Sequence, residues 1–142
     1  MFRINPVYKD NVEADERRTH HFEVRGKTDK VAGKMVSGYT VLYDGERYHA
    51  WSIDAAPYPF PHGSTQRCVA FGLVQALQIC DEAKIPPSDN VVLHIRHKPV
   101  FNALEKGYDV RKNSCRGHYH NIEIKSGRRR VFLALDNGRT HR

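Results

Sequence analysis

Nine histidines and an arginine-rich C-terminal stretch are the parts of this 142-residue chain whose types and spacing suit chemistry. His118-Tyr119-His120 is an H-x-H step. On a strand its two rings would share one face, and His94 and His97 flank the end of an apolar run. Three converging imidazoles would hold a transition metal, or form an acid–base pair for metal-independent RNA cleavage. The alternative for each ring is a polar surface or a satisfied core position. His118, His120 and His97 are therefore catalytic candidates only if they converge.

The second constellation is cationic. Arg128-Arg129-Arg130 enters an expected strand, which puts Arg128 and Arg130 on one face and Arg129 on the other. With Arg111, Lys112, Arg116 and Lys125 they would form a basic strip, beside which Tyr108 and Tyr119 could stack on bases. Residues 1–110 carry fourteen Lys and Arg against fourteen Asp and Glu. Residues 111–142 carry nine against two, which accounts for the whole net charge of +7. A neutral body with a basic C-terminal face suits a phosphate-rich partner, and an acidic protein would be drawn to the same charges.

Other chemistries are not written in the sequence. There is no phosphate-binding glycine loop, dinucleotide fingerprint, nucleophile elbow or H-E-x-x-H zinc motif, so no cofactor is expected. Cys68 and Cys80 would stand about 18 Å apart on one helix, beyond disulfide reach, and Cys115 has no obvious mate. No run is apolar enough for a membrane span, and the first residues lack a signal peptide's apolar stretch. The expected setting is cytoplasmic.

One domain is expected over 1–142: an N-terminal arm (1–18), a core (20–106) and a basic C-terminal loop and hairpin (107–142). Alternation over His20–Arg25 predicts a strand, with a turn over Gly26–Lys30. Met35–Tyr43 and Arg47–Ile53 predict two more strands, joined at Asp44-Gly45. Pro57–Gly63 reads as a loop. The apolar stripe Val69, Leu73, Ala76, Leu77 and Cys80 predicts a helix over 66–83, stopped by Pro86-Pro87. Asn90–Ile95 predicts a central strand and Pro99–Lys106 a short helix. Tyr119–Lys125 and Arg128–Leu135 predict two strands turning at Ser126-Gly127. The resulting order, β-β-β-α-β-α-β-β, is an α+β mixed sheet with one long helix packed on it.

That order resembles the ribonuclease H fold, and several segments add to the likeness. Gly38–Glu46 is similar to that family's second strand and hairpin, Gln66–Leu77 to its first long helix. Asn90–Leu104 is similar to the strand and helix that carry its catalytic Asp-Ser step. The resemblance spans roughly residues 20–106. It implies two divalent metal ions held by acids from the first strand, the first helix, the fourth strand and a C-terminal element. At the implied positions this chain has Arg25, Val69 and Arg96. Glu23 shares the strand face of Arg25 and would be a displaced acid standing alone. The likeness therefore implies a degenerate site, with no metal bound. Arg25 and Arg96 could contact phosphate oxygens, or pair with Glu23 or Asp54 and hold the sheet edge.

The leading expectation is a non-catalytic binder of RNA or a structured duplex, of the kind a virus or mobile element uses as an accessory factor. The alternatives are an interaction or inhibitor protein for an acidic partner, and a histidine-based nuclease.

Overall fold

The computed structural model describes residues 5–6, 18–43, 65–106, 115–127 and 129–136. Within them the elements are β1 (Asn5–Pro6), β2 (Thr19–Val31), β3 (Lys34–Tyr43), α1 (Thr65–Glu82), β4 (Asn90–Ile95), α2 (Lys98–Lys106), α3 (Arg116–Ser126) and β5 (Arg130–Leu135). The strands form one mixed sheet in the order β1-β5-β4-β2-β3. β3 runs antiparallel to β2, while β4, β5 and β1 follow it in parallel. The parallel pairing of β4 with β2 is what a strand–helix–strand crossover requires.

Alternation splits the sheet into two unlike faces. Phe22, Val24, Tyr39, Val41, Val91, Leu93, Ile95, Val131 and Leu133 belong to the hydrophobic core, together with the buried sides of the three helices. Each fully buried large side chain there contributes roughly 1.5–3 kcal/mol of transfer free energy. α1 lies unusually close to β2. A Cβ on Gly72 would sit 2.5 Å from Val24 Cγ1, and one on Gly26 would sit 2.6 Å from Val69 Cγ2. The Thr28 and Thr65 hydroxyls, 2.6 Å apart, tie the start of the helix to the strand. At its other end Lys84 turns into the left-handed region at φ 57°. The Ile85 amide then bonds the Cys80 carbonyl at 3.0 Å and the Lys84 amide bonds that of Asp81 at 3.1 Å, a Schellman stop before Pro86-Pro87.

Two expectations are corrected. Gly26–Lys30 does not turn. β2 continues to Val31, and the hairpin reverses at Ala32-Gly33, whose φ values of 51° and 80° suit a tight two-residue turn. Gly26 gives the helix room instead. Residues 119–125 are not a strand but lie in α3. Cys115, Tyr119, Ile122 and Ser126, spaced 4, 3 and 4 apart, are all buried, which is a helical stripe. α3 packs on α1, so the expected C-terminal hairpin is absent and β5 pairs in parallel with β4. The α+β class and the mixed sheet stand. The expected strand 47–53, its turn, the proline loop and residues 107–114 lie outside the described residues. So does most of the N-terminal arm, of which Asn5 and Pro6 pair with Phe132 and Leu133.

Candidate functional site

On the second, outer face the parallel register lays polar and apolar side chains in rows. Thr19, Asn90 and Arg130 form the first, His21, Val92 and Phe132 the next, then Glu23, His94 and Ala134. Arg25, Arg96 and Asp136 follow, midway along β2 and just past the ends of β4 and β5, beside the first turn of α1. A cleft of about 220 Å³ forms there, lined by Val24, Arg25, Gly26, Thr65, Val69, Arg96 and His97. The three positions singled out by the ribonuclease H resemblance, Arg25, Val69 and Arg96, line this one cleft.

Glu23 anchors its charges. Its carboxylate, 5% exposed, accepts a hydrogen bond from Arg25 Nε and lies 3.6 Å from Arg96 Nη2. The two arginine side chains remain 48% and 39% exposed, so the carboxylate orients guanidinium groups that still reach solvent. Of the two readings of these arginines, pairing with Glu23 is present. His97, at the rim, has its pKa lowered by burial.

The described part of the basic strip is distributed differently from expectation. Arg130 donates to Asn90 Oδ1 at 2.7 Å, with its guanidinium 5.7 Å from the centre of the Phe132 ring. Arg129 points the other way, donating to the Ile85 carbonyl at 2.8 Å and to Asp81 at 2.7 Å. Lys125 donates to Gln78 Oε1 at 2.7 Å and braces α3 against α1. Tyr119 is fully buried, its hydroxyl accepting from Gln66 at 3.2 Å, so it is a core residue and not a stacking platform. Burial also raises its pKa. Arg111, Lys112 and Arg128 lie outside the described residues, as does the side chain of Arg116.

The H-x-H step does not pair its rings either. In a helix, residues two apart point away from each other. His118 sits half-buried with its ring edge-on to Phe71, centroids 5.5 Å apart, while His120 is exposed. Burial, and then the charge of Arg67, lowers the pKa of His118. Among the described residues no three His, Cys, Asp or Glu side chains are arranged to hold a metal ion.

A different histidine pair was missed in the sequence. His21 Nδ1 lies 2.9 Å from His94 Nε2, and His94 Nδ1 lies 3.3 Å from Asp136 Oδ1. The Asp136 amide bonds the Ile95 carbonyl at 2.8 Å, which fixes its place beyond β5. The sequence carried only half the signal: His21 shares a face with Glu23 and Arg25, and the pairing with His94 depends on the β2–β4 register.

No family model matches the chain, and no curated protein is similar to it in sequence. Solved structures are similar to it in shape. Ribonuclease H1 of Halobacterium salinarum NRC-1 superposes with a TM-score of 0.53 at 11% identity, covering 82% of this chain and 83% of that one. The N-terminal ribonuclease H domain of rv2228c from Mycobacterium tuberculosis gives 0.55 at 12% identity, covering 83% and 86%. The prototype foamy virus protease–reverse transcriptase gives 0.67 at 11% identity, covering 99% of this chain and 20% of that one. The chain has a ribonuclease H-like fold.

The side chains at this ribonuclease H-like cleft do not fit a divalent cation. Its lining has two guanidinium groups and an isopropyl group and no carboxylate, and the nearby Glu23 is bonded to Arg25 and faces Arg96. Among the described residues no helix is long and apolar enough to cross a membrane.

Proposed function

We propose that this chain is a non-catalytic nucleic-acid-binding protein of ribonuclease H-like fold, taking RNA or a structured duplex. The observation that carries the reading is the arginine pair at the cleft. Arg25 and Arg96 face one opening, held by a buried carboxylate, with the hydrophobic Val69 beside them. Guanidinium groups so held can donate paired hydrogen bonds to the oxygens of a phosphodiester. The basic segment 111–142 would extend the contact along the backbone. A similar structure, the foamy viral protease–reverse transcriptase in complex with an RNA/DNA hybrid (TM-score 0.61, 12% identity, 99% of this chain and 20% of that one), supports a nucleic-acid partner. It also favours an accessory role in a virus or mobile element as the setting.

Fluorescence titration against labelled RNA, single-stranded DNA and duplex DNA, with and without Mg²⁺, tests this. Binding to at least one of them without Mg²⁺, and no cleavage with it, is the expected result. Mg²⁺-dependent cleavage of a DNA–RNA hybrid would overturn the non-catalytic reading. Absence of binding, with capture of an acidic protein that Arg25→Gln abolishes, would put an interaction protein in its place.

A further inference from the structure

We infer that the outer face of the sheet takes single-stranded nucleic acid, with a base stacked on the Phe132 ring while Arg25 and Arg96 hold the backbone. This names the substrate class within the nucleic-acid reading of the cleft and rests on that reading. The motive is an aromatic ring that has no part in the core. The buried sides of the three described helices belong to the core on the inner face. Among the described residues, the half-buried hydrophobic side chains packed against that core are Tyr43, Phe71 and Phe101. Phe132 and its neighbour across the register, Val92, belong to neither group. Burial along β5 alternates accordingly: Val131 and Leu133 are buried inward, while Phe132 and Ala134 are half-buried on the outer face.

The surroundings of the ring say what would cover it. The Arg130 guanidinium, 5.7 Å from the ring centre, is at the outer reach of a cation–π contact. It is beyond the roughly 3.5–4 Å of stacking contact, so it does not lie flat on the ring. Arg130 stands at one end of the face, tied to Asn90, and Arg25 and Arg96 stand at the other. Arg96 is four residues beyond Val92 on β4, and Phe132 is one strand over. At about 3.3 Å per residue and about 4.8 Å between strands, Phe132 and Arg96 are roughly 14 Å apart. That is about four nucleotides at the stacked rise of about 3.4 Å, and fewer when a strand is extended. One short strand can therefore place a base on Phe132 and a phosphate at the arginines. An aromatic platform flanked by cations complements a polyanion with exposed bases, and an apolar protein segment would leave the guanidinium groups unanswered. In a duplex interior the base faces already stack on one another, so only an unpaired strand offers one to the ring.

The test is fluorescence anisotropy with a labelled single-stranded RNA oligonucleotide, and with the same strand paired to its complement. Phe132→Leu keeps an apolar side chain and removes the ring. It should weaken single-strand binding about fivefold or more and duplex binding less than about twofold. Its salt slope on the single strand should equal the parent's, because no phosphate contact is lost. Phe132→Tyr, which restores a ring, should bind as the parent does. A comparison of DNA with an abasic strand of the same length needs no variant: the parent should bind the abasic strand about fivefold or more weakly. Thermal melting of each variant checks the fold. Parental single-strand affinity in a folded Phe132→Leu, an equal loss on the duplex, an equal loss in Phe132→Tyr, or equal binding of abasic and base-carrying strands would each overturn the stacking surface while leaving the arginine cleft intact. Failure to bind any of these nucleic acids would remove the nucleic-acid reading itself.

Discussion

The two faces of the sheet are made by the same strands, one residue out of phase, and they follow opposite rules. On the helix-covered face, Val24, Leu93 and Ile95 are at most 1% exposed, and α1 approaches so closely that only glycine fits at 26 and 72. On the outer face the alternating partners are Glu23, Arg25, His94 and Arg96: Glu23 pairs with both arginines, which are in part open to solvent, and His94 bonds His21. The first face is set by volume and the second by charge. Stability and binding should therefore separate by residue parity along a single strand.

Truncation on the inner face should have the largest effect. Leu93→Ala is expected to cost about 2–5 kcal/mol in urea unfolding, from lost transfer energy and the cavity left behind. Arg96→Ala, three residues on, should cost about 1 kcal/mol or less, since its contact with Glu23 is half in solvent. Equal losses would erase the distinction between the faces. Next comes Gly72→Ala, whose methyl would meet Val24 at 2.5 Å. It should cost about 1–3 kcal/mol, whereas Gly117→Ala, with nothing within 4 Å, should not destabilise.

Acidification gives a smaller effect of known sign. Burial holds the folded-state pKa values of His97 and His118 below the ordinary histidine value of 6.5, so the unfolded chain takes up protons first. Stability should fall as pH drops through about 6.5, and His118→Gln should lessen the fall, read as the urea midpoint against pH. An unchanged slope would mean that burial does not lower the pKa of His118. Lys84→Gly is the mildest change, expected to raise stability by up to about 1 kcal/mol by relieving a non-glycine residue at positive φ.

Much of this was legible in the sequence because local signals agreed with tertiary need. The stripe from Val69 to Cys80 and the Pro86-Pro87 stop placed α1 within a residue, and the apolar run Asn90–Ile95 placed β4. α3 was misread because Tyr119, Ile122 and Ile124 favour strands by propensity, while the helical spacing of Cys115, Tyr119, Ile122 and Ser126 includes a serine. That serine is buried because its hydroxyl donates to the Ile122 carbonyl at 2.7 Å. Arg25 and Arg96 could be named from the family likeness, and Glu23 from its shared strand face. The His21–His94–Asp136 array could not, since three separate strands meet there only through their register.

The central claim, that Arg25 and Arg96 hold a nucleic-acid backbone, is tested most directly by the salt dependence of binding in the double variant Arg25→Gln, Arg96→Gln. Each lost phosphate contact removes about 0.9 from the log–log slope for duplex DNA, or about 0.7 for a single strand. The slope should therefore shallow by roughly 1.4–1.8 and affinity should drop at least about tenfold, with the melting temperature nearly unchanged. A folded double variant with the parent's affinity and slope would contradict the account.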